Sequence, residues 1–190
     1  MIHHLYENEG ILDQIREVLH TEHSVQLHHF LQQETYQRLL SSVHRFRFTR
    51  TYTPLVHSFS STPFRDRRCI SAVNTLVQAL LQHRHTLASS VLFCFSHRDY
   101  TLLHDASQEE RGILALFELT PTWQDTYGGY TSFWAGGRET LRLTPLPNSL
   151  TLVSTDQNVK RFVKYINHTS LPSQRYVAEL TFKEKEALTL

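Results

Sequence analysis

Beyond residue 90 the chain is written in short apolar or alternating runs, at 91–95, 112–119, 130–134, 140–143, 149–154, 159–166 and 174–182. Turn-forming residues separate them: Gly128-Gly129, Gly136-Gly137, Pro145-Leu146-Pro147-Asn148 and Leu171-Pro172-Ser173. Runs of this length suit strands. Many short strands, with turn signals at roughly 8–12-residue intervals, form a sandwich, jelly roll or barrel.

The first 90 residues follow a different rhythm. Ile11, Leu12, Ile15, Val18 and Leu19 fall on one helical stripe, and Tyr36, Leu39, Leu40 and Val43 on a second. Ile70, Val73, Leu76, Val77, Leu80 and Leu81 form a third and stronger one. Residues 25–31 alternate loosely, as a short strand does. Residues 44–68 contain Pro54 and Pro63, lack a helical period and read as strand plus loop. With helices first and strands second in 190 residues, the helices must cover one sheet face. The expected class is α+β in one domain, 1–190, with a helix-rich 1–90 supporting a β barrel over 91–182.

Composition narrows the setting. Apolar residues make up 40% and aromatics 11%, which argues against disorder. A chain of this size buries roughly 70% of its unfolded surface and folds without a disulfide or metal. Cys69 and Cys94 are too few for a disulfide framework, so no disulfide-linked partner is expected, and a reducing, cytoplasmic compartment is. The longest apolar runs are far short of a membrane span, and Met1 to Glu7 do not open a signal peptide; no membrane partner is expected. The formal charge of +1 does not by itself point to nucleic acid.

That balance hides a local excess. Residues 45–68 hold Arg45, Arg47, Arg50, Arg65, Arg67 and Arg68 against a single acid, Asp66, with Phe46, Phe48, Tyr52 and Phe64 interleaved. Alternating Arg and Phe on extended chain turn the arginines to one face. Such a face suits RNA, an acidic protein or another anionic partner. It also suits a solvated edge strand whose charges block aggregation.

Several segments in order carry a family pattern. They are Asp99-Tyr100-Thr101-Leu102-Leu103-His104-Asp105-Ala106, Arg111, Leu119-Thr120-Pro121-Thr122-Trp123, Gly128-Gly129, Pro145-Leu146-Pro147-Asn148-Ser149-Leu150 and Arg175-Tyr176-Val177-Ala178-Glu179-Leu180. Together they resemble the 2-oxoglutarate and iron(II)-dependent dioxygenases of the prolyl-hydroxylase branch, and within it the ribosomal-protein prolyl hydroxylases. The resemblance implies a double-stranded β-helix, a jelly roll with N-terminal helices packed on one sheet. It also implies iron(II) and 2-oxoglutarate as cofactors.

The family's iron is held by two His and one carboxylate, leaving three coordination positions open. A His-x-Asp pair on a strand places both ligands on one face. His104 stands at the first position, but two residues later comes Ala106. Asp105 reaches the site only if a bulge reverses the alternation. Counting from Asn148, the distal His position falls on Arg161, a permanent cation. His168 is the nearest His in sequence. Arg175 stands where the family pairs an Arg with the distal carboxylate of 2-oxoglutarate, and Tyr100 and Arg161 complete the implied cofactor contacts.

Two main readings remain open. The first is a degenerate, pseudoenzyme member of the superfamily that keeps the barrel and an anion pocket at Arg175 and Arg161 without the usual iron centre, and serves as a binding or scaffold domain; on this reading the chain needs no cofactor. The second is an active hydroxylase with an irregular iron set of His104, Asp105 and His168. Elsewhere, His97-Arg98-Asp99 is a literal His-x-Asp, but its distance from Gly128-Gly129 suits an exposed polar turn better.

Overall fold

The computed structural model describes residues 1–81, 85–105, 112–155 and 159–184, the side chains of 104 and 105 excepted. Three helices form where the stripes fall: α1 (Glu9–Glu22), α2 (Gln33–Val43) and α3 (Arg67–Leu80). Asn8 caps α1 by accepting from the Ile11 N–H, and Asp66 caps α3 by accepting from Cys69. α1 stops at His23, whose φ of 58° leaves the helical region.

Twelve strands are described. They are β1 (Ser24–Leu27), β2 (Thr49–Thr53), β3 (His57–Pro63), β4 (His85–Phe95), β5 (Tyr100–Thr101) and β6 (His104–Asp105). β7 (Gly112–Glu118), β8 (Thr131–Ala135), β9 (Arg138–Leu143), β10 (Ser149–Thr155), β11 (Lys160–Val163) and β12 (Arg175–Glu184) follow. An eight-stranded sheet runs β1-β10-β7-β12-β4-β3-β2, with β5 on β3; a four-stranded sheet runs β6-β11-β8-β9. All these pairings are antiparallel. From β6 to β12 the chain crosses repeatedly between the sheets. That alternation is the jelly roll, a double-stranded β-helix.

Strand parity divides the core in two. On β7, every residue of which is buried, Ile113, Ala115 and Phe117 join the helices in one cluster. Leu114 and Leu116 face the other way, into a cluster with Phe133, Val163 and Ile166 of the smaller sheet and its flank. Phe117 packs edge-on against Phe30, ring centroids 5.8 Å apart, and against Tyr36 at 6.5 Å. The N-terminal helices thus seal one face of the larger sheet, and the smaller sheet closes over the other. The first 90 residues do more than support the barrel, because β1, β2 and β3 belong to the larger sheet itself.

Two turns tie the ends together. Asn148 adopts φ 56° ahead of β10 and exchanges two hydrogen bonds with the Leu31 backbone, 117 residues away. Gly128 and Gly129 both have positive φ. A Cβ on Gly128 would stand 2.3 Å from the Tyr165 carbonyl oxygen, so the two backbones approach closely only because the side chain is missing.

Candidate functional site

The space between the sheets holds a cavity of about 310 Å³. Its wall is mainly apolar: Phe59, Phe93 and Phe95 stack within 5.3–6.0 Å of one another, and Leu116, Val163 and Val177 complete it. Val56, Leu102 and Leu103 form an exposed apolar rim. The Leu102 N–H donates to the Val56 carbonyl, which joins the two sides of that rim.

Arg161 and Glu179 cross the cavity. Arg161 lies on β11 of the smaller sheet and Glu179 on β12 of the larger. Nη1 and Nη2 donate to the two carboxylate oxygens at 2.6 and 2.8 Å, a bidentate fork. The side chains are 18% and 15% exposed, so the pair is shielded from bulk water. In the β6–β11 ladder Arg161 stands directly opposite His104, and Lys160 opposite Asp105.

Arg175 sits deeper, 1% exposed. Its Nε and Nη2 donate to Glu118 Oε2 at 3.1 and 2.9 Å, and its Nη1 to the Gly129 carbonyl at 2.6 Å and to Thr131 Oγ1 at 2.9 Å. Thr120 donates its hydroxyl to the other Glu118 oxygen, and accepts from the Tyr176 N–H. Strand parity explains the cluster: residues 175, 177 and 179 of β12 face inward, and Val177 pairs in register with Glu118. Both Arg–Glu pairs thus brace the barrel, the first across the sheets and the second from β12 to β8 and the Gly-Gly turn.

The remaining candidates are dispersed. Tyr100 is half-buried on β5, its ring 6.4 Å from that of Tyr165, while its neighbour Thr101 lines the cavity. His168 is exposed in a one-turn 3-10 helix, His168–Ser170, that packs on the turn at Asp125–Tyr127. Ala106 and Arg111 lie outside the described residues. The His97-Arg98-Asp99 turn is not a simple exposed one: Asp99 is fully buried. Its carboxylate accepts from both terminal nitrogens of Arg50, from the Ser58 hydroxyl and from the Ser96 N–H and hydroxyl. This contact holds the Arg50 pKa above its usual value, chiefly through the hydrogen bonds. Arg50 is therefore turned away from the arginine row in which the sequence places it.

Residues 47–188 match the family described as oxoglutarate and iron-dependent oxygenase degradation C-term. The chain belongs to this family. Over 79 residues, 40% of the chain, it is 43% identical to a protein from Mus musculus named prolyl 3-hydroxylase OGFOD1, of which the match spans 14%. Among solved structures it is similar to a Trichoplax adhaerens prolyl hydroxylase crystallised with a hypoxia inducible factor peptide fragment: TM-score 0.74, 16% identity, covering 95% of this chain and 92% of that one. It is also similar to a Pseudomonas putida prolyl-4-hydroxylase: TM-score 0.73, 17% identity, covering 92% and 100%. The barrel of this oxygenase C-terminal family is thus the fold of the prolyl-hydroxylase-type 2-oxoglutarate oxygenases.

The described side chains do not fit the cofactors of that fold; those of His104 and Asp105 lie outside the described residues. Iron(II) needs imidazole and carboxylate donors, and the residue opposite His104 is a guanidinium already bound to Glu179. Among the described residues no three His, Cys, Asp or Glu side chains converge as metal ligands. 2-Oxoglutarate needs a cation able to take its distal carboxylate. Arg175 already gives four hydrogen bonds to protein acceptors and is neutralised by Glu118. Sequence reading passed over both glutamates. Their parity with Arg175 and Leu116 was the available signal.

Proposed function

We propose that this chain is a non-catalytic module on the dioxygenase fold, a binding or scaffold domain. The observation that carries this reading is the Arg161–Glu179 fork, which stands at the position opposite His104. A guanidinium there repels a divalent ion and does not ligate it. Glu179 takes both of its terminal nitrogens and balances its charge without any cofactor, and the surrounding wall is mainly apolar. A cavity of this size and lining suits an apolar group.

The test is incubation of the purified chain with iron(II) and 2-oxoglutarate under oxygen. The expected result is sub-stoichiometric iron, no succinate and no thermal stabilisation by 2-oxoglutarate. The variant Ala106→Asp with Arg161→His, which restores a His-x-Asp and a distal His, is expected to bind iron more tightly than the natural chain. Stoichiometric iron together with succinate formation that His104→Ala abolishes would overturn the proposal.

A further inference from the structure

The α2–β2 junction, the β3–α3 junction and the first turn of α3 carry five exposed arginines, Arg45, Arg47, Arg65, Arg67 and Arg68. They share one surface. The β2–β3 ladder ends with Thr49 opposite Ser61, so the chain enters through 45–48 and leaves through 62–65 at the same end. Phe46 and Phe64 meet beneath, ring centroids 6.4 Å apart, and pack on the core. The cavity-lining residues Val56 and His57 lie at the opposite end of this hairpin.

Among the described residues none of these five arginines forms an ion pair. Asp66, the single acid in the segment, accepts from the Cys69 N–H at 2.8 Å as the cap of α3. Arg67 and Arg68 stand in the first turn of α3, which has no acid. Cations at that end oppose the helix dipole. The fold therefore keeps five like charges together, two of them where they weaken a helix.

We propose that this face binds an extended protein segment rich in Asp and Glu. Charge complementarity is the first argument, and arginine forks suit carboxylates. Position is the second: β2 is the outer strand of the eight-stranded sheet, and its Thr-Arg-Thr-Tyr-Thr edge can pair with an added strand that runs on past Arg45 and Arg47. Single-stranded RNA is less well served, because base stacking needs exposed aromatic faces. Phe46 and Phe48 are packed against the core and Phe64 is 1% exposed, which leaves Tyr52 as the exposed aromatic of the segment. This binding face is independent of what the barrel cavity does.

The experiment measures anisotropy of a labelled Glu/Asp-rich peptide, a neutral peptide and a single-stranded RNA. The proteins are the full chain, Arg45→Glu with Arg47→Glu, Arg67→Glu with Arg68→Glu, and the control Arg138→Glu on exposed β9. The acidic peptide is expected to bind the natural chain, more weakly as salt rises, and each double variant about tenfold more weakly still. The Arg138 control is expected to match the natural chain. Arg67→Glu with Arg68→Glu is also expected to raise Tm, since acids replace cations at a helix start; lost binding with a raised Tm is not misfolding. Acidic peptide binding no tighter than the neutral one, double variants that bind like the natural chain, or RNA bound more tightly than the peptide would each overturn it.

Discussion

Replacing Arg175 by Met removes a guanidinium that is 1% exposed and makes four hydrogen bonds. Glu118, whose side chain is 7% exposed, is left with the Thr120 hydroxyl. Removing one partner of a buried ion pair costs about 3–5 kcal/mol, because the other charge stays desolvated and unpaired. For a domain of this size each kcal/mol lowers Tm by roughly 2–4 °C, so Arg175→Met lowers it by roughly 6–20 °C. Arg175→Met combined with Glu118→Leu removes both charges and recovers part of the loss. The cycle then shows a coupling of at least about 1 kcal/mol. Urea unfolding followed by tryptophan fluorescence measures all four proteins. A loss under about 1 kcal/mol for Arg175→Met, or strict additivity, would refute the bracing role. If Arg175 instead served 2-oxoglutarate, the substitution would leave stability unchanged and abolish stabilisation by that ligand.

Three further outcomes are expected. Asp99→Asn places an amide donor against Arg50 and costs about 2 kcal/mol or more in urea unfolding, whereas Ser96→Ala, which removes one of the donors to Asp99, costs less. Burial holds the His85 imidazole below its ordinary value, an effect that Glu184 partly offsets. The unfolded chain therefore takes up that proton first. The stability tied to a neutral His85 is complete above about pH 6.5 and falls as the solution becomes more acid. The variant His85→Gln should show a shallower loss of urea midpoint between roughly pH 7 and pH 5, and an unchanged slope would refute this. Burial also pushes the Cys94 thiol up to about 11 and raises that of Cys69 further. A thiol reagent at neutral pH should label neither in the folded chain and both in urea; fast labelling of either without denaturant would mean that the helix-covered core opens.

The strands were legible because they are short apolar or alternating runs bounded by turn residues. Val91 to Phe95, Gly112 to Glu118 and Ser149 to Thr155 announce themselves by composition and parity, and the helices by the stripes at Leu12, Leu39 and Val73. The Pro54 and Pro63 region was legible only as strand plus loop, not as the β2–β3 hairpin it forms. β2 and β3 owe their extended form to pairing with each other and with β4, not to an apolar pattern of their own. For the same reason the expected boundary near residue 90 separates helices from strands only loosely.

By itself the sequence set which residue types stand where the family resemblance implies iron ligands: Ala106 follows His104 by two, and Arg161 falls at the implied second imidazole. It also set the concentration of arginine between 45 and 68. Only the tertiary structure decided what those charges do. Arg161 meets Glu179 from the opposite sheet, Arg175 meets Glu118 at a separation of 57 residues, and Arg50 meets Asp99 at 49. Strand parity marks Glu118, Arg175 and Glu179 as inward-facing, but it does not say which charge meets which, because a buried charge is satisfied by whichever partner the closed barrel brings within hydrogen-bond reach.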